Sequence, residues 1–150
     1  MPPTPEEHRK FAKSCFNQTW ELLDRPERTP AEDIEMIHLA HASRYHWGQV
    51  GTPLNLARGD WQISRVYAVL GFGVMGFKYA KLCLNLCEKH DLGDFDLAFA
   101  YEALARSSAV SGDIANARGY LEMAEMTGQS IAKEDDRQYL LNELQSITIP

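Results

Sequence analysis

The chain has 150 residues, of which 45% are hydrophobic and 24% charged, the balance of one soluble globular domain rather than of a disordered chain. Its formal net charge of -6 argues against duplex nucleic acid or an anionic membrane as the main partner. No stretch approaches the roughly 20 apolar residues of a membrane helix. The start Met1–Glu7 has neither the basic end nor the apolar core of a signal peptide, so the three cysteines, Cys15, Cys83 and Cys87, are expected to be reduced thiols in the cytoplasm.

Apolar residues recur at helical spacing from end to end, and strand signals are nearly absent. Pro5-Glu6-Glu7 opens a first helix to about Leu23, with Phe11, Cys15, Phe16, Thr19, Trp20 and Leu23 as its apolar stripe. Thr29-Pro30-Ala31-Glu32 supplies an N-cap, a first-turn proline and an early carboxylate, and starts a second helix that runs through Trp47. Thr52-Pro53 repeats the signal for a third helix ending near Gly71. Gly59 inside it costs about 1 kcal/mol against alanine, which makes it the one interior point where this helix could bend or break. A fourth helix covers about Val74 to Lys89. Asp94 is expected to cap a fifth helix ending at Gly112, a sixth spans Asp113 to about Met126, and a seventh begins at Glu134-Asp135-Asp136.

Helices two and three are apolar on two sides. Ile34, Ile37, His38, His41 and Tyr45 share one face of helix two, opposite Met36, Leu39, Ala40, Ser43 and Trp47. Leu54, Ala57, Trp61 and Ala68 oppose Leu56, Ile63, Tyr67 and Leu70 on helix three. Such helices are sandwiched between others. Helix seven is one-sided, with Tyr139, Leu140, Leu144 and Ile147 against a charged remainder, as befits a terminal cap.

A repeated phrase organises the middle of the chain. Arg65–Gly71 and Arg106–Gly112 both read R-x-x-A-V-x-G, forty-one residues apart, and Gly76, Tyr79 and Cys83 fall in register with Ala117, Tyr120 and Ala124. Self-similarity at this period signals a helical hairpin stacked on its own copy. Ile63-Ser64, Tyr67, Gly71, Gly76, Tyr79, Ala80 and Cys83, followed by Leu104-Ala105, Ser108, Gly112-Asp113, Ala117, Tyr120, Leu121 and Ala124, resemble the pattern of a tetratricopeptide repeat. The likeness covers about residues 57–90 and 98–131. The chain departs from it in period, since the family uses ~34 residues, and in lacking the closing proline. The resemblance implies an all-α array of antiparallel hairpins with about seven helices in one domain: a divergent hairpin over 1–50, units at 52–90 and 94–130, and a capping helix over 132–147.

In that family the first helix of each unit lines a concave surface that binds extended peptides. The match carries this role to Arg58, Trp61, Gln62 and Arg65 in one copy and to Phe99, Glu102 and Arg106 in the next. Apart from the family, Arg58, Gln62 and Arg65 form one polar stripe by their spacing, and arginine grips carboxylates bidentately. A non-catalytic protein- or peptide-binding module with an acidic or C-terminal carboxylate ligand follows, with no cofactor. The competing reading of Arg65 and Arg106 is that each pairs with a carboxylate of the neighbouring unit and fixes the stack.

Other chemistry is thinner. Glu35, His38, His41 and His46 include a Glu-x-x-His spacing used in di-iron bundles, but a second copy is missing, and buried histidines more often bond a carbonyl or tyrosine. A small metal-dependent helical-bundle enzyme on these residues is the alternative, and self-association into a structural homo-oligomer is a third. Gly71–Gly76 spells G-x-G-x-x-G after a helix rather than a strand, so it reads as a helix end and a close crossing instead of a dinucleotide loop. Cys83 and Cys87 read as small core residues. Tyr45, Trp47 and Trp61 are either interface anchors or core.

Overall fold

A computed structural model describes all residues 1–150. Seven helices and no strand make up the chain: α1 (Pro5–Leu23), α2 (Pro30–Val50), α3 (Pro53–Val69), α4 (Gly73–His90), α5 (Asp94–Val110), α6 (Ile114–Gly128) and α7 (Glu134–Gln145). None is long and apolar enough to cross a membrane. The pairs α1–α2, α3–α4 and α5–α6 are hairpins, each hairpin packs on the next in chain order, and α7 lies against α5 and α6. The fold is all-α, an array of helical hairpins.

The helix starts follow from side chains that satisfy orphan backbone N–H groups. Thr4, Thr29 and Thr52 each cap a helix, with Glu7, Glu32 and Asn55 bonding back to close the capping box. The start of α5 differs from the expectation. Gly93, at φ 94°, holds the cap position and makes no side-chain bond, while Asp94 sits in the first turn. There its charge still suits the positive end of the helix dipole.

The doubled phrase ends α3 and α5 in the same way. Gly71 and Gly112 have φ of 87° and 80°, a left-handed conformation that a side chain disfavours. Phe72 N donates to Tyr67 O at 2.8 Å and Asp113 N to Ser108 O at 2.9 Å, the six-to-one bond of a Schellman close. The other two glycines of G-x-G-x-x-G serve packing. A Cβ on Gly73 would lie 2.9 Å from both the carbonyl of Ser107 and the nitrogen of Ser111, and one on Gly76 would lie 2.6 Å from Ser107 Oγ. The start of α4 therefore crosses the end of α5 almost backbone to backbone.

Gly59 does not break α3, which is continuous through it. A Cβ there would lie 2.9 Å from Cδ of Arg44, and the space lets Arg44 Nε donate to Asp60 Oδ1 at 3.0 Å. Asp60 is buried, and burial pushes its carboxyl up to about 6 although Arg44 pulls the other way. The helical penalty of glycine is thus offset by a buried tie between α2 and α3.

Three apolar clusters follow one another along the array. Leu22, Met36, Ala40, Ile63 and Val66 join α1, α2 and α3. Ala57, Ala80, Cys83, Leu84, Cys87, Ala100, Ala103 and Leu104 join α3, α4 and α5. Ala98, Phe99, Ala124, Ile131, Leu140 and Leu144 join α5, α6 and α7. On α3 eight residues from Ala57 to Ala68 are buried while Arg58 and Val69 stay exposed, whereas on α2 only Met36, Ala40 and Ser43 are buried and Ile34 and Tyr45 remain exposed.

Replacing Gly73 with alanine is expected to destabilise the fold by about 1–3 kcal/mol, the cost typical of overpacking. Urea denaturation followed by circular dichroism measures it. A stability equal to wild type would show that α4 and α5 separate easily.

Candidate functional site

The first helices of the three hairpins, α1, α3 and α5, face one another across a groove. Trp20 and Trp61 meet at a tilt of 31° with centroids 5.7 Å apart, and Trp61 meets Phe99 edge to face at 5.9 Å and 84°. Phe95 and Tyr139 flank Phe99 at 4.8 and 5.3 Å. Together with Phe16, Ala57 and Cys83 these rings enclose a pocket of about 170 Å³, with Arg58 and Asp96 beside it. The Cys83 thiol is held well above its ordinary value by its hydrogen bond to Cys87 and by burial, so it is a neutral piece of wall.

Arg58 and Asp96 form a bidentate pair, with Nε to Oδ1 at 2.9 Å and Nη2 to Oδ2 at 3.3 Å. Half of the Arg58 side chain remains in solvent. Beyond it the groove continues as a polar cleft lined by Lys13, Phe16, Asn17, Trp47, Asn55 and Arg58. Phe16 and Arg58 belong to both spaces. The Asn55 Oδ1 is taken by Thr52, which leaves its amide N–H groups as donors. Lys13 joins none of the chain's ion pairs.

Arg65 and Arg106 are engaged by the chain's own carboxylates. Glu102 has no exposed surface. Its Oε1 accepts from Trp61 Nε1 at 3.0 Å. Its Oε2 accepts from Arg106 Nε at 2.8 Å and from Arg65 Nη2 at 3.4 Å. Arg65 Nη2 also reaches Glu143 Oε2 on α7 at 3.0 Å. Arg106 Nη2 donates to the Glu143 carbonyl at 3.1 Å and to Ser146 Oγ at 2.9 Å. Burial alone would lower the Arg65 guanidinium, but the Glu102 and Glu143 charges outweigh it and raise it above its ordinary value. Two cations and two anions neutralise one another where α3, α5 and α7 meet.

Of the residues expected on the concave face, Arg58, Trp61 and Phe99 line the pocket. Gln62 does not. It is fully buried and its Nε2 donates to the Phe16 carbonyl at 3.1 Å, tying α3 to α1. Glu102 is sealed inside the arginine cluster. The spacing that puts Gln62 near Arg58 and Arg65 says nothing of how closely α1 approaches that stripe.

Phe16, Trp20, Lys13, Asn17 and Asn55 complete the groove and were not anticipated as site residues. The signal was present: subtracting the forty-one-residue period places Trp20 in register with Trp61 and Asn17 with Arg58.

The histidines do not gather into a ligand set with Glu35, and no group of three or more metal-ligating side chains is assembled anywhere. His41 Nε2 pairs with Tyr67 Oη at 2.8 Å. His46 meets His8 of α1 instead, Nδ1 to Nδ1 at 2.8 Å. Glu35 and His38 are exposed. Burial lowers both His41, aided by His38, and His46, aided by His8.

Comparison of the chain with models of known families, with curated proteins and with solved structures finds no match. Its chemistry is therefore read from its own geometry.

Two expectations follow. Removing both Arg65 and Arg106 by alanine leaves Glu102 buried without a cation, a change that costs about 3–5 kcal/mol and is read by urea denaturation. Replacement of Glu102 by Gln in the same double variant should recover part of the loss, and a double variant as stable as wild type would mean that the cluster carries no structural weight. The second concerns pH. Because His41 and His46 are lowered on folding, the unfolded chain binds more protons as pH falls, so their contribution is full above about 6.5 and declines below it. Asp60 acts in the opposite sense between its ordinary 3.8 and about 6. Thermal melting from pH 7.5 to 5 should therefore fall less for His46→Gln than for wild type.

Proposed function

We propose that the chain is a non-catalytic, tetratricopeptide-like peptide-binding module. Three hairpins in sequence order, small residues at the helix crossings and left-handed glycines at two turns support the repeat reading. The observation that carries the function is the aromatic pocket between the first helices of all three hairpins, continuous with a polar cleft. A pocket lined by rings and joined to a few polar groups is the usual form of a ligand site. It suits an apolar side chain, whose full burial is worth about 1.5–3 kcal/mol.

The acidic character of the ligand is retained in this reading, with a different set of residues carrying it. Arg65 and Arg106 hold internal carboxylates, so the available charge is that of Lys13 and the exposed half of Arg58. Asn17 and Asn55 add amide donors. The ligand is then a short extended segment with an apolar residue next to a carboxylate, either an acidic side chain or the chain end. Lys13 and Arg58 contact the carboxylate, and Trp20 and Trp61 contact the apolar side chain.

Short peptides ending in Phe or Leu, with a free carboxylate or an amide end, test this through tryptophan fluorescence. Loss of a hydrogen bond to a charged group is worth roughly 1.5–3 kcal/mol, so amidation should weaken binding by about tenfold or more. Lys13→Ala should weaken the acid and leave the amide unchanged, whereas Trp20→Ala should weaken both. Equal binding of acid and amide would remove the polar half of the proposal, and no binding of either would remove the whole.

A further inference from the structure

The aromatic pocket has one wall that belongs to none of the three hairpins. Tyr139 of α7 lines it, 5.3 Å from the Phe99 ring. Of the twelve residues of α7, only Leu140 and Leu144 are buried, and the helix starts without a side-chain cap. Leu140 anchors it to α6, where Gly128 leaves room: a Cβ on that glycine would overlap the leucine side chain.

On its other side α7 is fastened by charge. Glu143 lies one turn beyond Tyr139 and therefore on the same face. Its carboxylate reaches across α5 to Arg65 at 3.0 Å, the one hydrogen bond between α7 and α3, and Arg106 grips its carbonyl at 3.1 Å. Arg65 in turn lies over the ring of Trp61 at 5.0 Å, and Trp61 also lines the pocket. Tyr139 and Glu143 thus share one face of α7, and Glu143 is linked through Arg65 to Trp61, a second residue of the pocket lining.

We propose that α7 is a working part of the binding site and that Glu143, held by Arg65 and Arg106, is the residue that positions Tyr139 as its wall. The inference rests on the reading of the pocket as a binding site. A ligand that touches Tyr139 interacts only with the docked state of α7, so it must favour docking. By linkage, docking must strengthen the ligand by the same factor. The repeated arginine then acts in recognition without touching the ligand.

Indole is a suitable probe, because apolar cavities of this size admit single aromatic molecules and it requires no knowledge of the peptide. In wild type, saturating indole should slow amide exchange across α7 and leave the remote His38–Arg44 segment of α2 unchanged. Tyr139→Ala and Glu143→Gln should each weaken indole roughly fivefold or more, the lower range of site-to-site coupling, with helical content unchanged. Glu143→Gln should also speed α7 exchange without indole. Wild-type exchange needs no variant to fold. If indole binds but α7 exchange does not respond, or both variants bind it as wild type does, α7 is a cap and the inference fails alone. If wild type takes up no indole, the pocket reading fails and the inference with it.

Discussion

The structure depends on a carboxylate with no solvent around it. Glu102 sits at the centre of α5, and an unpaired charge there would cost several kcal/mol. Two guanidiniums and an indole N–H remove that cost, and each comes from a definite place: Trp61 and Arg65 from α3, Arg106 from α5 itself. The arrangement favours one register of α3 on α5, because a shift by one turn would take Trp61 and Arg65 away from Glu102 and leave it only Arg106 of its own helix. Apolar contacts alone would be less selective, since the α3–α4–α5 cluster is largely alanine and cysteine and offers little shape to distinguish one register from another.

Small residues do the complementary work. Gly73 and Gly76 bring α4 onto the end of α5, and Gly59 admits Arg44 to Asp60. Close approach shortens the distance that polar side chains must span and lets them form buried bonds between helices. The result is an array whose layers are held by alanine-sized contacts and by a few polar ties at chosen points. In the groove between the first helices large aromatic rings meet and leave a cavity between them.

That division explains why the arginines and the groove separate. Charge buried between helices is consumed in holding them together, and the exposed charge that a ligand can reach lies at the groove's far end, on Lys13 and Arg58. The terminal helix joins the two regions. Its leucines belong to the core, its glutamate to the arginine cluster and its tyrosine to the pocket.

The sequence by itself determined the helices and their ends, because capping threonines, first-turn prolines and left-handed glycines act within a few residues of one another. It also determined the hairpin order, through a period that aligns Arg65 with Arg106. It carried both readings of those arginines without choosing between them, and spacing alone could not show that Gln62 faces α1 rather than the groove. Those choices depend on the distance between helices far apart in the chain. Only the tertiary structure set that distance, by placing Glu102 between two arginines, Glu143 beside them, and Trp20 against Trp61 with a cavity left between their neighbours.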